Sequence, residues 1–300
     1  MIANLIIFAI VAELMWSFTS LIDKIVLSKG HIKNPFVYIV LNGGMNIFLV
    51  VLLPFFSFGH LKFADLIGVF AAGISLSLGV ILYYKAVQCE EISRVLVLWQ
   101  LIPIFVLVLS FLFLGERLTA NNFIGFGMLL SAGFLISFKK INKKFGFSKA
   151  FFYMLGSAVL ISSHYVVAKH IYSVTGFWSA FMWIRLASSS SVLVLLLPSV
   201  RKEFAQSFNK APLKIKSLLG TKMLIDFSAF IVLGYSTVYG PISLISALGS
   251  SAAPIFIFII ASIFSIYFPK ILKENIHIKN ILAKVIAIAL TIIGIMFINF

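Results

Sequence analysis

Ten stretches of this chain are apolar for about 20 residues each, the length at which an α-helix crosses the hydrocarbon core of a bilayer. They run over roughly 2–24, 36–56, 65–87, 92–114, 121–138, 150–172, 177–197, 218–239, 241–268 and 281–299. This pattern decides the fold class. A water-soluble fold of 300 residues, 61% of them hydrophobic and 11% charged, would have to leave an oily exterior in water. Strands of a membrane barrel would be short and alternating, and no such alternation occurs. The expectation is an all-α integral membrane protein with ten transmembrane helices. Met1 to Asn4 carry no basic residue, so the first run reads as a retained helix and not as a cleaved leader.

The spans divide into two similar sets of five. "YYKAVQCEEISRVLVLWQLIPIFV" (83–106) parallels "GYSTVYGPISLISALGSSAAPIFI" (234–257), with Tyr84 and Tyr235 as far apart as Pro103 and Pro254. Lys24 and Lys169 end spans one and six. Gly133 and Gly294 close spans five and ten at a wider spacing, which places an insertion around "FPKILKENIH" (268–277). An odd number of spans per copy makes the second copy cross in the opposite sense. The sequence thus predicts two inverted five-helix repeats, 1–145 and 146–300, with a site at the midplane between them. Pro103 and Pro254 each remove a backbone donor inside a span and bend it. They read either as tolerated membrane prolines or as part of the site.

The net charge of +15 is a topology signal here, because the basic residues lie between the apolar runs. Loops after odd-numbered spans carry 20 Lys and Arg, against 3 on the other side. The positive-inside rule then puts both termini outside the cytoplasm. The runs "KKINKKFGFSK" (139–149) and "RKEFAQSFNKAPLKIK" (201–216) read as loop anchors at the cytoplasmic face. Nucleic acid is not an expected partner. The single cysteine, Cys89, excludes an internal disulfide framework and a thiolate metal cluster.

Within the spans a few ionisable groups stand out. Glu13 lies near the middle of the first, where a charge costs about 2.5 to 3.5 kcal/mol on insertion scales. Glu13, Ser17, Ser20 and Lys24 follow one helix face, a polar stripe that predicts a wet, inward-facing surface. Low dielectric favours the neutral form of such a carboxyl and makes it a switchable proton carrier. The bland alternative is a structural glutamate. Arg185, in "FMWIRLASSSS", keeps its charge and needs a counter-charge or water. Asp226, with Lys222 one turn before it, is the other mid-span acid. Arg185 either locks to Asp226 or holds a substrate carboxylate or phosphate. His164 either relays protons or ties neighbouring helices. Glu116 and Arg117 read as a helix-end pair at the headgroups, and Glu90, Glu91 and Arg94 as a similar interfacial cluster. Trp16, Tyr84, Trp99 and Tyr235 are expected in a cavity.

"LYYKAVQCEEISRVLVLWQLIPIFVLVLSFLFLGERLTANNFIGFGMLLSAGFLIS" (82–137) resembles the repeat unit of the drug/metabolite transporter superfamily, in its EamA branch of ten-helix carriers. "YYKAV", the proline in span four, and "LGERLT" before a Gly-rich span carry the likeness. The second half matches more weakly, with "SIYFPKILKEN" in place of "LGER". "AIVAELMWS" is similar to the opening of small multidrug resistance transporters, whose glutamate binds a proton or a cationic substrate. That resemblance implies the same role for Glu13 and a site-lining role for Trp99. The second half has Ala158 where Glu13 would recur, so any carboxylate chemistry is single-copy. The EamA likeness implies termini in the cytoplasm, opposite to the charge count.

The leading functional expectation is a proton-coupled secondary transporter in the cytoplasmic membrane, exporting a small metabolite or drug-like solute. Its expected substrate-binding residues are Glu13, Trp16, Ser17, Tyr84, Trp99, Arg185 and Tyr235, and its proton-coupling candidates are Glu13, His164 and Asp226. The expected partners are a small-molecule substrate, the lipid bilayer and protons, with a homodimer left open. No cofactor or metal is expected. A flippase for a lipid-linked head group and a non-transporting scaffold are the alternatives. An enzyme is disfavoured by the scatter of the five histidines. No G-x-x-x-x-G-K-[ST] motif occurs for ATP hydrolysis. The charge asymmetry makes one direct prediction: a reporter active only outside the cytoplasm, fused after Phe300, will be active. Activity of a cytoplasmic reporter there reverses the orientation.

Overall fold

A computed structural model describes residues 2–28, 32–47, 59–116, 119–141, 144–250, 253–267 and 278–299. The order is α1 (Ile2–Ser28), α2 (Pro35–Ile47), α3 (Phe63–Cys89), α4 (Ile92–Leu98), α5 (Leu101–Leu114) and α6 (Ala120–Ser137), then a hairpin of β1 (Phe138–Ile141) and β2 (Lys144–Phe147). It continues with α7 (Lys149–Val174), α8 (Phe177–Ser188), a 3-10 segment (Ser189–Leu196), α9 (Pro198–Lys210), α10 (Leu213–Tyr239), α11 (Ile242–Ser250), α12 (Ala253–Tyr267) and α13 (Ile278–Asn299). Among the described residues, five helical segments are long and apolar enough to span a bilayer: Phe63–Cys89, Ile92–Leu114, Lys149–Val174, Phe177–Leu196 and Leu213–Tyr239. Shorter apolar helices cover parts of the remaining runs. The end of the second expected span and the insertion at 268–277 lie outside the described residues.

The apolar spans are not uniform rods. The fourth breaks at Trp99 and Gln100, between α4 and α5, three residues before Pro103. Proline lacks the N–H that would continue the ladder there. Gly115 ends α5 in the left-handed region, with φ of 72°, a backbone state that favours glycine. In the seventh span the serine run loosens the helix into eight residues of 3-10 geometry, longer than such segments usually run. Ser188 Oγ donates to the Ile184 carbonyl at 2.8 Å and Ser191 Oγ to that of Ser188 at 3.3 Å. Such bonds compete with the backbone's own pairing.

The second basic run is not a loop. Residues 198–210 form α9, with Pro198 in its first turn, a position where no donor is needed. Val200 is buried, and Phe204 and Phe208 stack at 5.8 Å and pack against the core. The alternation of these apolar positions with Arg201, Lys202 and Lys210 is the pattern of a helix lying along a surface. The first basic run includes the β hairpin, paired from Phe138↔Phe147 to Ile141↔Lys144.

α1 packs on α10 and α3 on α7; α2 meets the 3-10 segment, α6 meets α13, and the broken helices meet as α4 with α12 and α5 with α11. Two lysines occupy matching places in this arrangement. Lys24 Nζ donates to the carbonyls of Val87 and Glu90, each at 2.6 Å, at the end of α3. Lys169 Nζ donates to Thr237 O at 2.7 Å and Gly240 O at 2.9 Å, at the end of α10. The last carbonyls of a helix have no partner within it, and an ammonium satisfies both their hydrogen bonding and the helix dipole.

Helices approach closely where glycine allows it. A methyl group built on Gly73 would collide with the backbone carbonyl of Ala187 in α8. Backbone cannot retreat as a flexible side chain can, so Gly73→Val is expected to lower stability by about 1–3 kcal/mol. Gly44→Ala, where nothing lies within 4 Å, is the control. Thermal unfolding of the detergent-purified protein measures the difference.

Candidate functional site

The polar stripe on α1 faces inward, as its spacing predicts. Glu13, Ser17 and Ser20 line a central cavity of about 130 Å³ between α1, α3, α8 and α10, where a single water needs only roughly 10–15 Å³. Lys24 leaves the stripe to reach the end of α3. Ser17 Oγ donates to the backbone carbonyl of Glu13 at 2.8 Å, not to its carboxylate. Among the described residues no side chain hydrogen-bonds the Glu13 carboxylate. Glu13 also borders a small void of about 10 Å³ beside Ile102, Pro103 and Tyr165, next to the break in the fourth span.

The walls are aromatic. Trp16 meets Phe230 edge-on at 5.0 Å and Trp99 meets Tyr83 edge-on at 5.1 Å. Tyr84 and Tyr165 also line the cavity. Trp16, Tyr84 and Trp99 are thus where the sequence expects them. Tyr235 is not: it is 44% exposed and packs edge-on against Phe8 and Phe177 on the outer side of α10. Its likeness to Tyr84 in sequence therefore does not extend to surroundings. His164 is buried outside the cavity, with Nδ1 at 3.2 Å from the Ala72 carbonyl, which joins α7 to α3.

One end of the cavity is closed by an ion cluster. Lys222 is 3% exposed and contacts Asp226, one turn along α10, and Asp23 of α1 at 3.5 Å. Tyr38 Oη donates to Asp23 at 2.7 Å, and Lys222 Nζ to Asn42 Oδ1 at 3.2 Å. Asn42 in turn donates to the Tyr84 hydroxyl. This replaces the expected lock between Arg185 and Asp226. Lys222, four residues from Asp226, reaches that carboxylate within its own helix. Arg185 instead stacks on Phe230, its guanidinium carbon 3.8 Å from the ring centre. Arg185 Nε and Nη1 are buried with no hydrogen-bond partner.

The helix-end acids are tied more deeply than interfacial charges would be. Glu116 accepts from Ser110 at 3.0 Å and from Ser243, joining α5 to α11; Arg117 lies outside the described residues. Glu91 pairs with Arg94 at 3.7 Å and with Lys284 of α13 at 2.6 Å. Lys222 and Lys284, two of the 20 basic residues counted on the cytoplasmic side from sequence, are buried inside the bundle.

The geometry has a counterpart among known proteins. Residues 4–138 match the EamA-like transporter family. Together with the apolar helices, this match supports a multi-pass membrane protein similar to that transporter family. No curated protein matches the chain at a significant level. One solved structure, described as "Crystal structure of protein", superposes with a TM-score of 0.61 at 18% identity. The overlap covers 98% of this chain and 94% of the other, so the likeness of fold runs through the second half as well as the first.

The ion cluster generates a stability prediction. Lys222→Met strands the buried Asp23 beside the partly buried Asp226 and is expected to cost about 3–5 kcal/mol. Adding Asp23→Asn and Asp226→Asn should recover most of that loss. Thermal unfolding of the three proteins checks it; equal stability of wild type and Lys222→Met rules out a structural ion pair.

Proposed function

We propose that this chain is a secondary transporter that exports a small solute across the cytoplasmic membrane, coupled to protons through Glu13. One observation carries the reading: an intramembrane carboxylate that no side chain among the described residues hydrogen-bonds faces a solute-sized cavity. A carboxyl so placed binds and releases a proton as the cavity turns from one side to the other. Proton and solute then share one chamber, which is how a gradient drives a carrier without ATP. Trp16, Ser17, Tyr84, Trp99 and Arg185 form the solute-facing wall with Glu13, and Asp226 is the second candidate for protonation.

Alternating access needs two bodies that rock about the site, and we assign these to two inverted five-helix repeats, 1–145 and 146–300. The reciprocal packing of α1 with α10 and α3 with α7 supports this, as do the paired lysine caps. We place both termini outside the cytoplasm. Lys222 and Lys284 drop out of the charge count as buried residues, and the remaining asymmetry still favours that orientation. Asn34 of the first loop donates to Glu203 of α9 at 2.7 Å, which puts these two basic segments on one side, as the assignment requires.

Glu13→Gln removes the charge and keeps the volume. It should leave folding intact and abolish net flux driven by a pH gradient in proteoliposomes tested with a panel of small solutes. Glu13→Asp should keep part of the activity with a shifted pH optimum. Undiminished proton-driven flux in Glu13→Gln would reduce Glu13 to a structural role and turn attention to Asp226.

A further inference from the structure

Five acidic and basic side chains line the cavity: Glu13, Asp23, Lys222, Asp226 and Arg185. Lys222 satisfies its charge with Asp23 and Asp226. A carboxyl such as that of Glu13 can reach neutrality by taking a proton. Arg185 has neither route. A guanidinium does not give up its proton in a protein, and here it is 3% exposed with Nε and Nη1 unpartnered. Stacking on Phe230 orients its plane but supplies no acceptor for its N–H groups.

We infer that Arg185 is the anion-binding subsite of the cavity and that the transported solute is an organic anion, an acid group on an apolar body about the size of one ring. This deepens the transport reading and rests on it. The guanidinium fork matches the oxygens of a carboxylate or a phosphate ester, which bind it through two parallel N–H donors. The body is specified by the walls: Trp16, Phe230, Trp99 and Tyr83 present faces and edges suited to a flat apolar group. Orientation follows from charge. Asp23 and Asp226 together carry one more negative charge than Lys222 neutralises, so the acid group is repelled from that end and directed to Arg185.

The test uses the purified full-length chain in detergent, with binding read by tryptophan fluorescence and thermal shift. The probes are 3-phenylpropanoate, phenyl phosphate, neutral 3-phenylpropanamide, 2-phenylethylammonium and inorganic phosphate. At least one of the two organic anions is expected to bind saturably and about tenfold or more tighter than the amide, the cation and inorganic phosphate. Preference between the first two identifies the acid group. Arg185→Gln should weaken the anion about tenfold or more and leave the amide unchanged. Arg185→Lys keeps the charge but loses the fork and should fall between, which keeps the test open if Arg185→Gln does not fold. Failure of both anions to bind wild type overturns the inference. So does a tighter cation, equal binding of anion and amide, or an anion affinity unaltered in the variants. Anion binding at Arg185 without flux in proteoliposomes removes the transport reading alone; flux of a cation without anion binding removes only this one.

Discussion

Lys222, itself 3% exposed, sits between Asp23 and Asp226, and the arrangement around the cavity is organised about that contact. In hydrocarbon an unsatisfied charge or backbone group finds no solvent to accept it. The ammonium therefore fixes α1 against α10, and its remaining bonds draw in Tyr38 and Asn42 of α2 and, through Asn42, Tyr84 of α3. Four helices are held at one end of the chamber by a single polar knot. Toward Glu13 and Arg185 the chamber has aromatic walls and, among the described residues, no comparable tie.

Backbone irregularity follows the same rule. Helices in lipid break only where the freed groups find partners or line a cavity. The break at Trp99 and Gln100 lies beside the cavity and the small void near Pro103. There Ser162 Oγ of α7 reaches the carbonyl of Ile102 at 3.0 Å. The loosened serine run of the seventh span contributes Ser188 and Ser191 to the cavity wall. Both irregular segments thus face the chamber, where a polar backbone is tolerated.

Much of this was legible in the sequence because the bilayer imposes simple rules. Span length, the Glu13–Ser17–Ser20 stripe and the interruption before Pro103 each follow from one-dimensional spacing. Pairing across helices does not. Arg185 and Asp226 look like natural partners because they are the conspicuous charges of adjacent spans, yet the acid is taken by a lysine one turn away. That i,i+4 spacing was visible; the arrival of Asp23 from the far end of α1 was not, although it lies three residues beyond Ser20 on the same face. Tyr235 misled for another reason. A repeat in sequence predicts a repeat in backbone, and the side chain's neighbours are set by whichever helix packs there. Lys222 and Lys284 look like surface charges in a one-dimensional count; inside the bundle each meets carboxylate, Asp23 and Asp226 for the one and Glu91 for the other.

The two kinds of lysine contact also differ in when they can form. Lys24 finds its carbonyls on α3, so that contact is available once the third helix has been made. Asp23, its neighbour in sequence, must wait for Lys222, about 200 residues later, which at the usual pace of translation is roughly 10–40 s. Throughout that interval the growing chain already contains the acid and not yet its ammonium. Whatever shelters a nascent membrane protein has to accommodate Asp23 until α10 arrives, and a chain stalled or truncated before Lys222 carries that deficit permanently.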